Sequence, residues 1–564
     1  MYVGSVTPPS LNGNQAVNYV TTDAYDFCLV DLRLKFAGLF DDFIDIRGVS
    51  SESFGSSVVG KVVTDSTAGD QRAALQGDVK AQMNWAAHAG MYAVVIDLSM
   101  SDEISMSAVI SGFCDSHPPE QSVTRVWVQC TAFDWGKWNQ IRTMCGNPSK
   151  LSVCLTYDPA LFSDSILMSR WLGEPVSSIL FLGSECAPSS HACLLSLFRR
   201  NAQPIVTSPS LLSEITGILS SAPRLKWSEE YVAPYHDSLQ LPLQPLADNM
   251  ENNVYETFET DRTKYELYEE AVFRAINELA TNHPRDTLFR LAVVGAGRGG
   301  LVDAALRAID RGPLTVSQFE IFAIEKNPNA ARTLKFRCSD DWAAKVTVVE
   351  TDMREWNCGG QIDILISELL GSLGDNEASP ECIDGVIRVV NPVRGICIPS
   401  RYYSSLEPVS CAKVWMAARD AGKLETPLVV NFHTVFRPAT PCKLFSFEDR
   451  PSHPSSSNER SCTLSWIVKE SDFTLHGFAG YFHCDLHGGV TMSTHPPTAT
   501  VGMVSWFPAF LPLKDPVLVA AGETVTVHVA RRCEKAKIFF EWTLLKPLVS
   551  CVHNKSGTSH SIGL

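Results

Sequence analysis

Leu288-Phe289-Arg290-Leu291-Ala292-Val293-Val294-Gly295-Ala296-Gly297-Arg298-Gly299-Gly300 runs from an apolar segment straight into a glycine-rich turn. Leu288 to Val294 reads as a buried strand. Leu301 to Ile309 reads as a helix, with Leu301, Ala305, Leu306 and Ile309 turned inward. A second strand, Phe319 to Ile324, ends at Glu325. Asn327 to Phe336 is then a helix, Val346 to Val349 a third strand with Asp352 just beyond it, and Gln361 to Ile366 a fourth. Strands alternating with helices predict a doubly wound half-sheet whose ligand side lies at the carboxyl ends of the strands.

Gly295-x-Gly297-x-x-Gly300 alone is a weak signal. Placed after a strand, opening a helix, with an acid at the end of the next strand, it points to a nucleoside ligand. The glycines let backbone N–H groups approach the ligand, and Glu325 would accept from two ribose hydroxyls. The bland alternative is a tight β–α turn with no ligand. Asp352 has two readings as well: an acceptor for an adenine amino group, or a turn aspartate. A dinucleotide oxidoreductase and an S-adenosylmethionine enzyme share this first half.

The fourth strand leads into Ser367-Glu368-Leu369-Leu370-Gly371-Ser372-Leu373-Gly374-Asp375-Asn376-Glu377-Ala378-Ser379-Pro380-Glu381, where Glu368 and Glu377 stand nine positions apart. Ser379 and Pro380 read as the cap and first position of a helix. Two carboxylates gathered there could repel each other, hold a metal or grip a planar cation. No neighbouring histidine or cysteine completes a metal set, so no metal is expected. A pair working as general acid and base stays open as an alternative, though unexpected on this sheet. A guanidinium fits best, because its five donors match carboxylates on two edges. A solvated acidic loop remains the alternative. Tyr255 and Phe258, before the helix expected from Asp261 to Thr281, and Trp506 could wall such a cation. By composition alone they read as core residues.

The rest of the 564-residue chain sets the frame. From Phe27 to Val206, apolar segments (Phe27–Leu32, Phe43–Val49, Ser57–Val63, Tyr92–Leu98, Arg125–Cys130, Leu151–Tyr157, Ser178–Leu182, Pro204–Val206) alternate with helix-like stretches such as Gly69 to Ala89. This predicts a compact (β/α) barrel over 1–228, with a scaffold role because no catalytic constellation sits at its strand ends. Pro234, Pro242 and Pro245 mark 229–250 as an extended surface linker. The Rossmann-like domain is expected over 251–398. Over 399–564, segments such as Phe432–Phe436, Leu464–Val468, Phe478–Phe482 and Thr524–Val529 alternate without helical spacers. They predict an antiparallel β domain, barrel or sandwich.

A net charge of −15 argues against a broad nucleic-acid surface and allows a basic partner. No apolar run is long enough to span a bilayer, and Met1 to Asn18 lacks the pattern of a secretory signal. Seventeen cysteines, with no Cys-x-x-Cys, fit reduced thiols in the cytosol or nucleus.

Val294-Gly295-Ala296-Gly297-Arg298-Gly299, Glu325-Lys326-Asn327-Pro328-Asn329-Ala330, Asp352-Met353-Arg354-Glu355-Trp356 and Ser367-Glu368-Leu369-Leu370-Gly371-Ser372 resemble the protein arginine methyltransferase 5 family, the type II, symmetric-dimethylating arginine methyltransferases. The resemblance extends over Tyr231 to Leu564 and includes His476 to Phe482 and Ser505-Trp506-Phe507-Pro508. It implies an amino-terminal (β/α) barrel, a Rossmann-like S-adenosylmethionine domain and a carboxyl-terminal β domain, in a homodimer or higher homo-oligomer acting on arginine-rich tails of histones and Gly/Arg-rich proteins. It further implies that Glu368 and Glu377 bind the guanidinium and that Tyr255, Lys264, Tyr265, Gly295, Gly297, Arg298, Glu325, Asp352 and Met353 contact the cofactor. Phe258 resembles the phenylalanine tied to symmetric product, and Trp506 the opposite wall. Gly300 stands where the family usually has proline. The amino-terminal third matches only in general pattern, so the propeller-shaped partner of animal relatives is not carried over. An oxidoreductase, or a scaffold of this fold without catalysis, stays open as an alternative.

Overall fold

The computed structural model describes residues 4–6, 26–32, 58–63, 72–183, 185–207, 209–449, 457–469 and 471–564. Eight parallel strands, β1 (Gly4–Val6), β2 (Phe27–Leu32), β3 (Val58–Val62), β4 (Ala93–Asp97), β5 (Arg125–Cys130), β6 (Leu151–Thr156), β7 (Val176–Leu180) and β8 (Gln203–Val206), close into a barrel in sequence order. The closing pair is β1 with β8. The expected strand Phe43–Val49 lies outside the described residues. The first barrel strand is instead Gly4–Val6, three residues with no apolar run to announce them. Alternation along the strands separates two layers. Phe27, Leu29, Val59, Val95, Trp127, Cys154, Leu180 and Ile205 pack with one another inside the ring. The intervening positions pack outward against helix residues such as Ile110, Trp138 and Leu197.

The segment after the barrel is more structured than an extended linker. Trp227–Val232 is helical, and β9 (Leu239–Gln240) adds a strand to a sheet of the carboxyl-terminal domain. Two helices follow, α1 (Asn252–Glu259) and α2 (Arg262–Asn282). Tyr268, Val272, Ile276 and Leu279 of α2 are buried at helical spacing, and the Asp261 side chain caps its first turn.

The central sheet holds β10 (Phe289–Val294), β11 (Phe319–Glu325), β12 (Val346–Glu350), β13 (Ile364–Ser367) and β14 (Ile396–Ile398), all parallel in the order β12-β11-β10-β13-β14. Its crossovers include α3 (Gly300–Arg311), α4 (Pro328–Asp340) and α5 (Ser379–Val386). The register is decisive, because Val294 pairs with both Ile324 and Ser367. The next residues along the three strands, Gly295, Glu325 and Glu368, therefore emerge side by side at one edge.

The carboxyl-terminal domain is antiparallel, as expected, but in two sheets. Its strands are β15 (Arg401–Val409), β16 (Leu428–Val430), β17 (Cys442–Glu448), β18 (Arg460–Ile467), β19 (Phe473–Asp485), β20 (Thr491–Ser493), β21 (Ala509–Val519), β22 (Thr524–Cys533), β23 (Lys537–Lys546) and β24 (Ile562–Gly563). One sheet runs β17-β15-β19-β21-β16-β9, with β20 on β19, and the other β18-β22-β23-β24. Leu475, Phe478, Val527 and Trp542 belong to one core shared by both sheets and continuous with the Rossmann-like layer. Two expectations are corrected. A helix, α6 (Ala412–Asp420), does interrupt the strands. Phe432–Phe436 is not a strand: the His433 and Thr434 backbone N–H groups turn to the Asp237 carboxylate at 2.8 and 2.9 Å instead of a neighbouring strand.

Candidate active site

The carboxyl edge of the central sheet opens onto a cavity of about 420 Å³, lined by the glycine turn, the loops after β11, β12 and β13, α1, the 231–246 segment and the Trp506 loop. A cavity of this size suits a small-molecule ligand.

Gly297 has φ +54°, and a Cβ there would stand 3.1 Å from the Tyr255 ring. The turn thus lies close under Tyr255, which comes from α1. Glu325, buried at the end of β11, accepts from the Gly297 N–H through Oε2 and from the Asn327 N–H through Oε1, each at 2.7 Å. Burial pushes its carboxyl up, against the pull of those two donors. Asn327 also donates to the Tyr255 hydroxyl at 3.2 Å. Arg298, which lines the cavity, also reaches toward α1, meeting Asn252 Oδ1 at 2.7 Å and Glu259 at 3.1 Å. Asp352 and Met353 line the cavity. Burial disfavours the Asp352 charge, but Arg354, 2.8 Å away, outweighs burial and lowers its pKa. Gly300, where the family pattern has proline, lies under Tyr265: a Cβ would come within 2.6 Å of that ring. The small residue and the close ring go together.

The second half of the site is a cation slot. Lys264 is buried on the first turn of α2, and its Nζ lies 3.3 Å from Glu368 Oε2. The same ammonium stands 5.2 Å from the ring centroid of Phe258, 5.0 Å from Tyr265 and 5.1 Å from Trp506. Aromatic faces around a carboxylate-bound cation are what a guanidinium would need. Burial works against the lysine charge, but Glu368, Tyr265 and Asp261 outweigh it and raise its pKa. Glu377 lines the same cavity. Among the described residues no hydrogen bond or ion pair holds its carboxylate. Desolvation, then repulsion from Glu368, pushes its pKa well above the ordinary carboxylate range, with Lys264 opposing.

One buried aspartate joins the halves. Asp261 Oδ1 accepts from the Lys264 N–H at 3.1 Å, while Oδ2 accepts from the Val504 and Ser505 N–H groups, both at 2.8 Å. The helix cap therefore also pins the loop that carries Trp506. Trp506 Nε1 then donates to the Leu370 carbonyl at 2.6 Å, fixing the ring against the glutamate loop. That loop is shaped by Asn376, whose Oδ1 accepts from the Leu373 N–H at 2.7 Å. Ala378, with φ +64°, occupies the cap position of α5, so the helix begins at Ser379 with Pro380 as its second residue. The expected start is one residue too late, because a left-handed alanine at a cap has no sequence signal.

Every residue singled out from the sequence reaches this cavity edge. Three features were missed: the 231–246 segment as a wall, Asn327 as the link between Glu325 and Tyr255, and the Lys264 ammonium inside the aromatic cage. Asn327 stands within a motif the resemblance rests on, so it was within reach. The other two depend on contacts between distant segments.

Three family models match the chain in order: "PRMT5 TIM barrel domain" over residues 48–185, "PRMT5 arginine-N-methyltransferase" over 226–398 and "PRMT5 oligomerisation domain" over 401–562. The chain is 31% identical to protein arginine N-methyltransferase 5 of Xenopus laevis, over 92% of this chain and 89% of that relative. It is 36% identical to the protein of that name in Oryza sativa subsp. indica, over 77% of this chain and 73% of the relative. To protein arginine N-methyltransferase skb1 of Schizosaccharomyces pombe it is 36% identical, over 76% and 75%. With the barrel and the Rossmann-like sheet, these matches define a protein-arginine N-methyltransferase. The chain belongs to the protein arginine N-methyltransferase 5 family.

Proposed function

We propose that the protein transfers methyl groups from S-adenosylmethionine to arginine side chains and yields monomethyl- and symmetric dimethylarginine. The observation that carries this reading is the cation cage: a buried ammonium set among Phe258, Tyr265 and Trp506 and paired to Glu368, beside the unpartnered Glu377. A guanidinium taking the place of that ammonium would meet both carboxylates.

The residues present suit S-adenosylmethionine. Gly295 and Gly297 would leave room for its amino-acid end, Glu325 would offer lone pairs to the ribose, and Asp352 and Met353 would hold the adenine. When bound, it supplies an electrophilic methyl on a sulfonium. Guanidinium is a poor nucleophile, so positioning must supply much of the rate. Glu368 and Glu377 hold the group on two edges and draw positive charge toward themselves, leaving the third nitrogen richer in electrons. Desolvation and Glu368 raise the pKa of Glu377, an entering cation offsets that rise, and its carboxylate is then placed to accept the proton released by methylation. Phe258 closes the side on which a second methyl on the same nitrogen would lie.

The acidic chain is suited to basic, arginine-rich tails of histones and Gly/Arg-rich proteins. The match of its carboxyl-terminal domain supports a homo-oligomer, and its 17 free cysteines support work in the cytosol and nucleus. The test is transfer of radiolabelled methyl to a Gly/Arg-rich peptide, followed by mass-spectrometric separation of the isomers. Symmetric dimethylarginine is expected. Asymmetric product alone would overturn the type II reading, and no transfer to any arginine peptide would overturn the function.

A further inference from the structure

Among the described residues Glu377 has no hydrogen-bond or ion-pair partner, so its place depends on the backbone that carries it. The charge that holds this backbone comes from the other domain. Arg531, on β22, is fully buried. Its Nη1 and Nη2 meet Glu381 Oε1 and Oε2 at 2.7 and 2.8 Å, a parallel two-bond pair. Its Nε lies 2.9 Å from Asp375 Oδ2, an ion-pair contact outside hydrogen-bond alignment. Nη2 also donates to the Asp375 carbonyl at 3.3 Å, and Nη1 to the Asn458 carbonyl at 3.0 Å. Asp375 precedes Glu377 by two residues and Glu381 follows it by four, so a single guanidinium grips the loop on both sides of Glu377. The Phe447 ring, 5.5 Å from the guanidinium carbon, covers its face.

We infer that Arg531 is a positioning residue for catalysis: from the β domain it clamps Asp375 and Glu381 and thereby sets where Glu377 meets the substrate guanidinium. The inference rests on the arginine-methyltransferase reading above. A planar fork is required, because only it reaches two carboxylates and a carbonyl in fixed directions. A lysine keeps the charge and loses the geometry. The clamp also explains why the catalytic sheet is fused to this β domain: one side supplies the reacting loop and the other its anchor.

The test is a double-mutant cycle in the full-length protein, read by steady-state kinetics and by calorimetric binding of S-adenosylhomocysteine. Arg531→Lys should lower kcat by about 10- to 100-fold, the scale of a loss of positioning, while the affinity for S-adenosylhomocysteine stays within about twofold. In a Glu377→Gln background the same substitution should add almost nothing, because the residue it positions is already gone. Glu381→Gln, which keeps one hydrogen bond to Arg531, should follow the same cycle with a smaller factor and is read wherever the lysine variant folds poorly. A kcat per folded molecule equal to wild type overturns the inference, and so does an equal loss in both backgrounds. If wild-type protein methylates no arginine, the underlying reading has failed instead.

Discussion

Two glutamates, one buried and one at a cavity wall, show how this chain separates holding from doing. Glu174, in the barrel, accepts from Trp135 Nε1 at 2.9 Å and Trp138 Nε1 at 3.0 Å, and pairs with Arg142 at 2.9 Å. Its carboxylate is fully matched and closed off. Glu377 sits at a cavity wall with no matching donor among the described residues, next to a second carboxylate. An unmatched buried charge costs several kcal/mol unless the group takes up a proton. Glu174 avoids that cost through its matched donors, whereas Glu377 meets it through a raised pKa that favours its neutral form. A barrel core needs its charge neutralised, whereas a guanidinium slot needs an acceptor left over.

The largest expected effect is at the slot. Glu377→Gln and Glu368→Gln should each lower kcat by about 10²- to 10⁴-fold, with S-adenosylhomocysteine affinity nearly intact. For Glu377→Gln the melting temperature should hold or rise, since a neutral amide replaces a carboxyl whose charged form the site disfavours. Near-normal turnover in either variant would break the contrast. The barrel glutamate should behave in the opposite way. Glu174→Gln strips Arg142 of its counter-charge and should cost about 3–5 kcal/mol of stability in denaturant titration, with kcat per folded molecule unchanged.

Asp449 sharpens the comparison. It is buried away from the cavity, its Oδ2 finds no partner among the described residues, and burial followed by repulsion from Asp384 pushes its pKa up to about 8. Protonation is the other way to satisfy such a group. With the folded value above the unfolded one, its stabilising contribution is complete at acid pH and is lost as pH rises toward about 8. Asp449→Asn should therefore gain on wild type by up to about 1.4 kcal/mol for each pH unit between the unfolded and folded values. A pH-independent gap would show that the carboxyl is ionised throughout. The smallest effect concerns product type: Phe258→Met should admit a minor fraction of asymmetric dimethylarginine, read by mass spectrometry, with symmetric product still dominant.

Much of this was legible in the sequence, for physical reasons that differ by region. Four of the central sheet's five strands were read to within three residues because buried parallel strands are continuous apolar runs and the glycine turn has few other uses; β14, only three residues long, was not. Glu368 and Glu377 were legible as a pair because a strand end places the first and a short loop returns the second. The barrel was read through the same alternation, but Gly4–Val6 carries too little apolar character to be seen. Phe432–Phe436 misled because an apolar segment can surrender its ladder to a carboxylate, here Asp237. Arg531 was invisible: one arginine among the charges of a β strand says nothing of the loop it grips, some 150 residues earlier in the chain. The cage around Lys264 was hidden for the same reason, since its walls come from α1, α2 and the loop before β21.

The central claim, that Glu377 is an acceptor kept free for a guanidinium, with its pKa raised until a cation arrives, is tested most directly by calorimetry. An arginine peptide is titrated into wild-type and Glu377→Gln protein saturated with S-adenosylhomocysteine, near neutral pH, in buffers of different ionisation enthalpy. Wild type should release a proton on binding, seen as a buffer-dependent heat, and the glutamine variant should bind more weakly with no such dependence. Buffer-independent heats in wild type, or equal affinity in both proteins, would contradict it.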